Sequence, residues 1–148
     1  MIPFLMTGLA LFGQADRPLP AEAAAKNLVV PKGMKATLFA SEPMVSQPMA
    51  LTTDARGRVW VVENFSYPKW ITDGSKGKDR VIILEDTDGD GKADKRTVFA
   101  DGLTNVSGIA LGAGGVWLAA TPNLSFIPDA DRDDKPDGPL KVRSEEHT

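Results

Sequence analysis

Two stretches concentrate carboxylates at a spacing suited to a hard cation. Asp86, Asp88, Asp90 and Asp94 follow the pattern D-x-D-x-D-G-x-x-D. Carboxylates at alternate positions of a tight loop converge on one point. Ca2+ takes roughly six to eight oxygen ligands, and the backbone carbonyl of Lys92 can supply one more. Gly91 permits the sharp turn. The stretch departs from an EF-hand, because Thr97 stands where a bidentate Glu would close the site and strand-like sequence flanks it. Asp129, Asp131, Asp133 and Asp137 repeat the spacing, with Asp134 replacing the glycine at a cost in backbone freedom. The alternative for both is a solvated Asp-rich hairpin turn. So many carboxylates in so few residues repel one another unless a cation neutralises them, so Ca2+ is the expected cofactor.

A second candidate is Glu63-Asn64-Phe65-Ser66-Tyr67-Pro68-Lys69-Trp70. Glu63 and Asn64 end an apolar run, and Tyr67 and Trp70 follow in a loop. Together they could face a substrate or a flat cofactor, since loops on rigid scaffolds often carry sites. The alternative is a capped strand end and a surface loop. Trp60 and Trp117 are expected in the core. No nucleophile–base pair stands out, so no catalytic residue is assigned. Gly112–Gly115 reads as a hairpin turn, because no helix follows it as a nucleotide loop requires.

The elements that position these residues are short strands punctuated by Gly, Asp and Pro. Strands are expected at 34–39, 49–53, 59–63, 81–85, 95–99, 108–111, 116–120 and 124–128, with a ninth from Leu140. They repeat as a set. The run Met49 to Val61 is echoed by Gly108 to Leu118; each is a strand, a Gly-containing turn and a strand opening on Val-Trp. A third strand then runs into an Asp-rich loop in each copy, and the first copy carries an insert at 65–78. Four short strands per repeat, at a period of roughly 40–50 residues, indicate propeller blades. The expected fold is all-β: a partial β-propeller of about two four-stranded antiparallel blades plus one N-terminal strand at 34–39. Blades bury their faces against neighbours, so the face carrying Val59, Val61, Ile82 and Leu84, or the opposite face, is expected to meet water.

Residues 2–12 are mostly apolar but shorter than the roughly 20 residues needed to span a bilayer. Gly13-Gln14-Ala15 suits signal peptidase. Residues 1–15 are therefore expected to be a signal peptide, giving export to the periplasm or cell envelope, although no Lys or Arg precedes Arg17. Residues 16–29 read as a linker with a frayed helical turn, and 30–142 as the blades. Arg143-Ser144-Glu145-Glu146-His147-Thr148 is the translation of a common short-read sequencing adapter, so 143–148 is expected to be an artefact. The net charge of −3 offers no basic surface for nucleic acid. The absence of Cys excludes disulfides and c-type haem attachment within these residues.

Val30-Pro31-Lys32-Gly33-Met34, Gln47-Pro48-Met49-Ala50, Arg56-Gly57-Arg58-Val59-Trp60, Tyr67-Pro68, Asp101-Gly102-Leu103, Val106-Ser107-Gly108-Ile109 and Lys135-Pro136-Asp137-Gly138 form a specific string. It resembles the opening of the PVC-type membrane-bound dehydrogenase family, whose propeller is similar to quinoprotein glucose and sorbosone dehydrogenases. The resemblance implies a larger exported parent that oxidises a small molecule such as a sugar or alcohol. It further implies pyrroloquinoline quinone and haem c in that parent, and membrane association through it. This chain is then an N-terminal fragment, inactive alone. The alternatives are a non-catalytic carbohydrate- or protein-binding propeller and a purely structural envelope module.

Overall fold

The computed structural model describes residues 18–143. The expected signal peptide, and all of the expected artefact except Arg143, lie outside them. The chain divides into two compact units, Met1–Ala36 and Thr37–Thr148. In the first, α1 (Ala21–Lys26) is a helix of 6 residues that buries no side chain. Its alanines favour helix, and Glu22 and Lys26 sit at the ends where the helix dipole favours their charges. It is too short to be stable by itself. Among the described residues, no helix is long and apolar enough to cross a membrane.

The second unit holds two four-stranded antiparallel sheets. The first contains β1 (Pro48–Thr53), β2 (Val59–Glu63), β3 (Asp79–Glu85) and β4 (Lys95–Leu103), paired in chain order. The second contains β5 (Val106–Leu111), β6 (Gly115–Ala120), β7 (Asn123–Pro128) and β8 (Lys141–Val142), again in chain order. The side-chain alternation of a strand sorts the apolar residues into two sets. Trp60 pairs with Ile83 and Val62 with Val81, placing all four on one face of the first sheet. They join Phe99 and Leu103 in a core shared with Val106, Val116, Leu118 and Ile127 of the second sheet.

Residues 34–39 are not a strand, which corrects the expected N-terminal strand. The alternation there is apolar without a ladder partner; Ala93 N–H donates to the Phe39 carbonyl at 2.8 Å. Nor does the face opposite the shared core meet water. Val61, Ile82 and Leu84 are buried under Phe39, Ala40, Met44 and Val45. An irregular segment provides this cover where a neighbouring sheet was expected to be needed.

Trp60 and Trp117 occupy matching positions but different surroundings. Trp60 is buried in the shared core, with its ring 5.1 Å from Phe99. Trp117 lies on the face of β6 opposite Val116 and Leu118, half-buried, with its ring 4.8 Å from Phe126. The tryptophan-bearing face of the first sheet thus packs on the Val/Leu face of the second.

Candidate metal centre

Both acidic stretches are the loop between the third and fourth strand of their sheet, β3–β4 and β7–β8. Their backbones share one shape. Gly89 and Gly91 take φ of 80° and 87°, and the matching Arg132 and Asp134 take 61° and 70°. Glycine enters this left-handed region freely, whereas Arg and Asp do so at a cost.

In the first loop the Asp86 carboxylate accepts the N–H groups of Gly89 at 2.7 Å and Gly91 at 2.8 Å. The Gly91 bond above all, joined by the Gly89 bond, holds its pKa below the ordinary value against opposing desolvation. Asp94 accepts the Thr87 hydroxyl at 2.8 Å. Asp86, Asp88 and Asp94 each place an oxygen within 4.8 Å of the others. Asp90 is outside this group; its Oδ1 accepts the Lys92 N–H at 2.8 Å.

In the second loop, Asp129, Asp131 and Asp137 converge in the same way, each with an oxygen within 4.8 Å of the others. Asp133 lies outside, accepting the Lys135 N–H at 2.9 Å. Asp137 Oδ2 accepts the Ala130 N–H at 2.5 Å. Asp129 differs from its counterpart Asp86. It is only 6% exposed, and its Oδ1 is buried without a hydrogen-bond partner. A buried carboxylate oxygen normally has a partner, and leaving one without costs free energy. Burial first, then repulsion from Asp134, Asp131, Asp133 and Asp137, pushes the Asp129 pKa up. Three carboxylates with one orphaned oxygen among them are the donor set a hard divalent cation takes, and a cation there would offset both the burial and the repulsion.

Of the second candidate set, Glu63 and Asn64 are inside the scaffold. Glu63 is 1% exposed. Its Oε1 accepts the Ser46 N–H at 2.7 Å, and its Oε2 is shared by Arg80 and by Arg96 at 3.0 Å. Asn64 donates to the Val106 carbonyl at 2.6 Å and accepts the Tyr67 N–H at 2.8 Å. Tyr67 and Trp70 are exposed. Trp70 lines a cleft of about 1090 Å³ with Phe99, Leu103, Asn105, Ile127 and Leu140.

Two further residues matter that composition does not flag. Asp79, fully buried, accepts the Ser66 N–H and hydroxyl, each at 2.8 Å, and the Val106 N–H at 3.0 Å. Arg58, 4% exposed, grips Asp134 of the second loop from the first sheet. The signal for the latter pair is the repeat itself: Asp134 replaces a loop glycine, and Arg58 has Gly115 as its counterpart.

The sequence model of one family, described as a domain of unknown function (DUF7133), matches residues 20–142. No curated protein and no solved structure matches the chain.

Proposed function

The chain belongs to the DUF7133 family, and we propose that its two sheets are consecutive blades of a β-propeller whose acidic hairpin loops bind Ca2+. The observation that carries this reading is the buried, unpartnered Oδ1 of Asp129 within reach of Asp131 and Asp137. The sheet arrangement supports the propeller part. Two meanders of identical strand order meet through unlike faces, Trp60 on Val116 and Leu118. Such head-to-tail contact, repeated, generates a ring. In an exported parent of the quinoprotein dehydrogenase type, the blades would scaffold oxidation of a sugar or alcohol. Pyrroloquinoline quinone and haem c would come from the rest of that parent. This catalytic context rests on the motif string alone, and fold-level analogy does not carry activity.

A non-catalytic carbohydrate-binding propeller is favoured by a different observation. Glu63 and Asn64 are engaged internally, which leaves Tyr67 and Trp70 as the exposed members of their set. Exposed aromatic faces suit sugar rings better than they suit redox chemistry.

The test is calorimetric titration of Ca2+ into the full chain and into Asp129→Asn. Loss of one binding event in the variant is expected. Identical heats in the two proteins would overturn the metal assignment.

A further inference from the structure

Resting on the Ca2+ reading of the second loop, we propose that Arg58 and Asp134 form a latch through which cation binding in that loop and closure of the joint between the sheets stabilise each other. Arg58 is a positioning residue for a metal loop that belongs to the neighbouring sheet.

The geometry is a fork. Arg58 Nη1 lies 2.5 Å from Asp134 Oδ2, and Nη2 lies 2.7 Å from Oδ1. Nε donates to Asp54 Oδ2 at 2.8 Å, and the same oxygen accepts the Trp60 indole N–H at 3.1 Å. The guanidinium carbon also lies 5.8 Å from the centre of the Trp60 ring. The Arg58 side chain is therefore fixed from the first sheet before it reaches across, and two-pronged Arg–carboxylate pairing adds direction to charge. Arg56 reinforces it, donating to the Arg132 carbonyl at 3.3 Å and to Asp134 Oδ1 at 3.2 Å.

The two loops thus reach one backbone shape by different means. The first uses Gly89 and Gly91 at its left-handed positions. The second has Arg132 and Asp134 there, and these are the residues that the arginines of the first sheet hold, one by its carbonyl and one by its carboxylate. Asp131 and Asp137 lie on either side of the gripped residue, so the grip that holds Asp134 also orders the cation ligands. The two departures from the repeat occur together: the first loop has no Asp at this position, and the second sheet has Gly115 where the first has Arg58. If joint closure orders the loop for a cation, then the cation must favour joint closure by the same factor.

Charge alone predicts the opposite sign. Arg58 is a cation beside a cation site, so its removal would tighten Ca2+ binding by relieving repulsion. The latch predicts that removal weakens it.

The experiment is Ca2+ calorimetry on the full chain carrying Asp88→Asn and Asp94→Asn, which silence the first loop. Arg58→Met and Asp134→Gly are introduced singly and together. Asp134→Gly relieves the backbone cost at φ 70° but also removes an anion beside the site, so Arg58→Lys, which keeps the charge and loses the two-pronged grip, keeps the test alive should Arg58→Met fail to fold. The expected result is binding weaker by about tenfold in each single variant, with the double variant no weaker than either, as for residues acting as one unit. Unchanged or tighter binding in Arg58→Met or Arg58→Lys, or unchanged or tighter binding in Asp134→Gly, overturns the latch while leaving the Ca2+ reading intact. An absence of any heat in the parent carrying only the two Asn substitutions overturns the Ca2+ reading of the second loop itself.

Discussion

Asp79 Oδ2 accepts the N–H of Val106 at 3.0 Å, while Asn64 donates to the Val106 carbonyl at 2.6 Å. Both backbone groups of the residue that opens the second sheet are thus held by side chains of the first. Asp79 is fully buried, and its other oxygen takes the Ser66 N–H and hydroxyl. Replacing it with Ala leaves three donors without an acceptor at the joint. A loss of about 3 kcal/mol is expected, because each stranded buried donor costs about 1–3 kcal/mol and part of the site will admit water. Urea unfolding would read it as a lower midpoint. An unchanged midpoint would mean that the joint does not depend on this carboxylate.

Glu63 tests whether a strand end that resembles a ligand-facing site is in fact scaffold. Glu63→Gln removes the charge facing Arg80 and Arg96, both partly exposed, while keeping an acceptor for Ser46. Removing one partner from a buried pair costs about 3–5 kcal/mol. The exposure of the two arginines places this variant at about 2–3 kcal/mol. Thermal and urea unfolding of the variant should show that loss. A variant as stable as the wild type, with altered ligand binding, would return Glu63 to the site.

The expected strands and those in the structure agree because the pattern of the sheets is local. Val59–Glu63 is expected and found with the same bounds, since a turn precedes it and β-branched residues fill it. The segment 34–39 shows where that logic ends. Its apolar residues alternate, yet they form no ladder; Phe39 at its end joins an irregular cover over Val61, Ile82 and Leu84, and only tertiary packing distinguishes the two outcomes. The acidic loops are legible as carboxylate spacing, and six of the eight expected aspartates converge in two groups. The exclusion of Asp90 and Asp133 is not legible, because spacing alone does not show which carboxylates the folded loop brings together. The repeat marks Arg58 and Asp134 each as a departure, but their contact is not legible, because residues far apart in sequence meet only once two sheets have docked.

Acid sensitivity should be partly traceable to Asp54. Burial pushes its pKa up, but bonds from Trp60 and from the backbone and side chain of Arg58 outweigh that, leaving it below the ordinary value of 3.8. A carboxylate with a depressed folded pKa stabilises the fold above its unfolded pKa, and that contribution is lost as pH falls through the folded value. The denaturation midpoint of the wild type should therefore fall below about pH 4 more steeply than that of Asp54→Asn, with the two curves converging at the acid end. Parallel curves would exclude Asp54 as a contributor.

Gly115 stands in the second sheet where Arg58 stands in the first, and the structure explains why the arginine does not recur. A Cβ built on Gly115 would lie 2.3 Å from the Ile127 carbonyl oxygen and 2.6 Å from the Phe126 ring. The carbonyl belongs to the paired strand β7, so it cannot move without breaking the ladder. Phe126 is in turn packed against Trp117, so its ring has little room to withdraw. Even the smallest side chain therefore overpacks the site, and Gly115→Ala should cost about 2–3 kcal/mol, the upper part of the usual range for overpacking. Gly112, in the same hairpin, is the control, because its added Cβ meets nothing within 4 Å. Gly112→Ala should be neutral or stabilising by up to about 1 kcal/mol, through the lower entropy of its unfolded chain. Urea unfolding of the two variants side by side separates a steric effect at one position from a general intolerance of the turn. Equal losses in both would show that the hairpin, and not the approach of Phe126 and Ile127, requires glycine. A loss confined to Gly115→Ala would show that the second sheet has exchanged a cross-joint arginine for close packing of Phe126 on its own backbone.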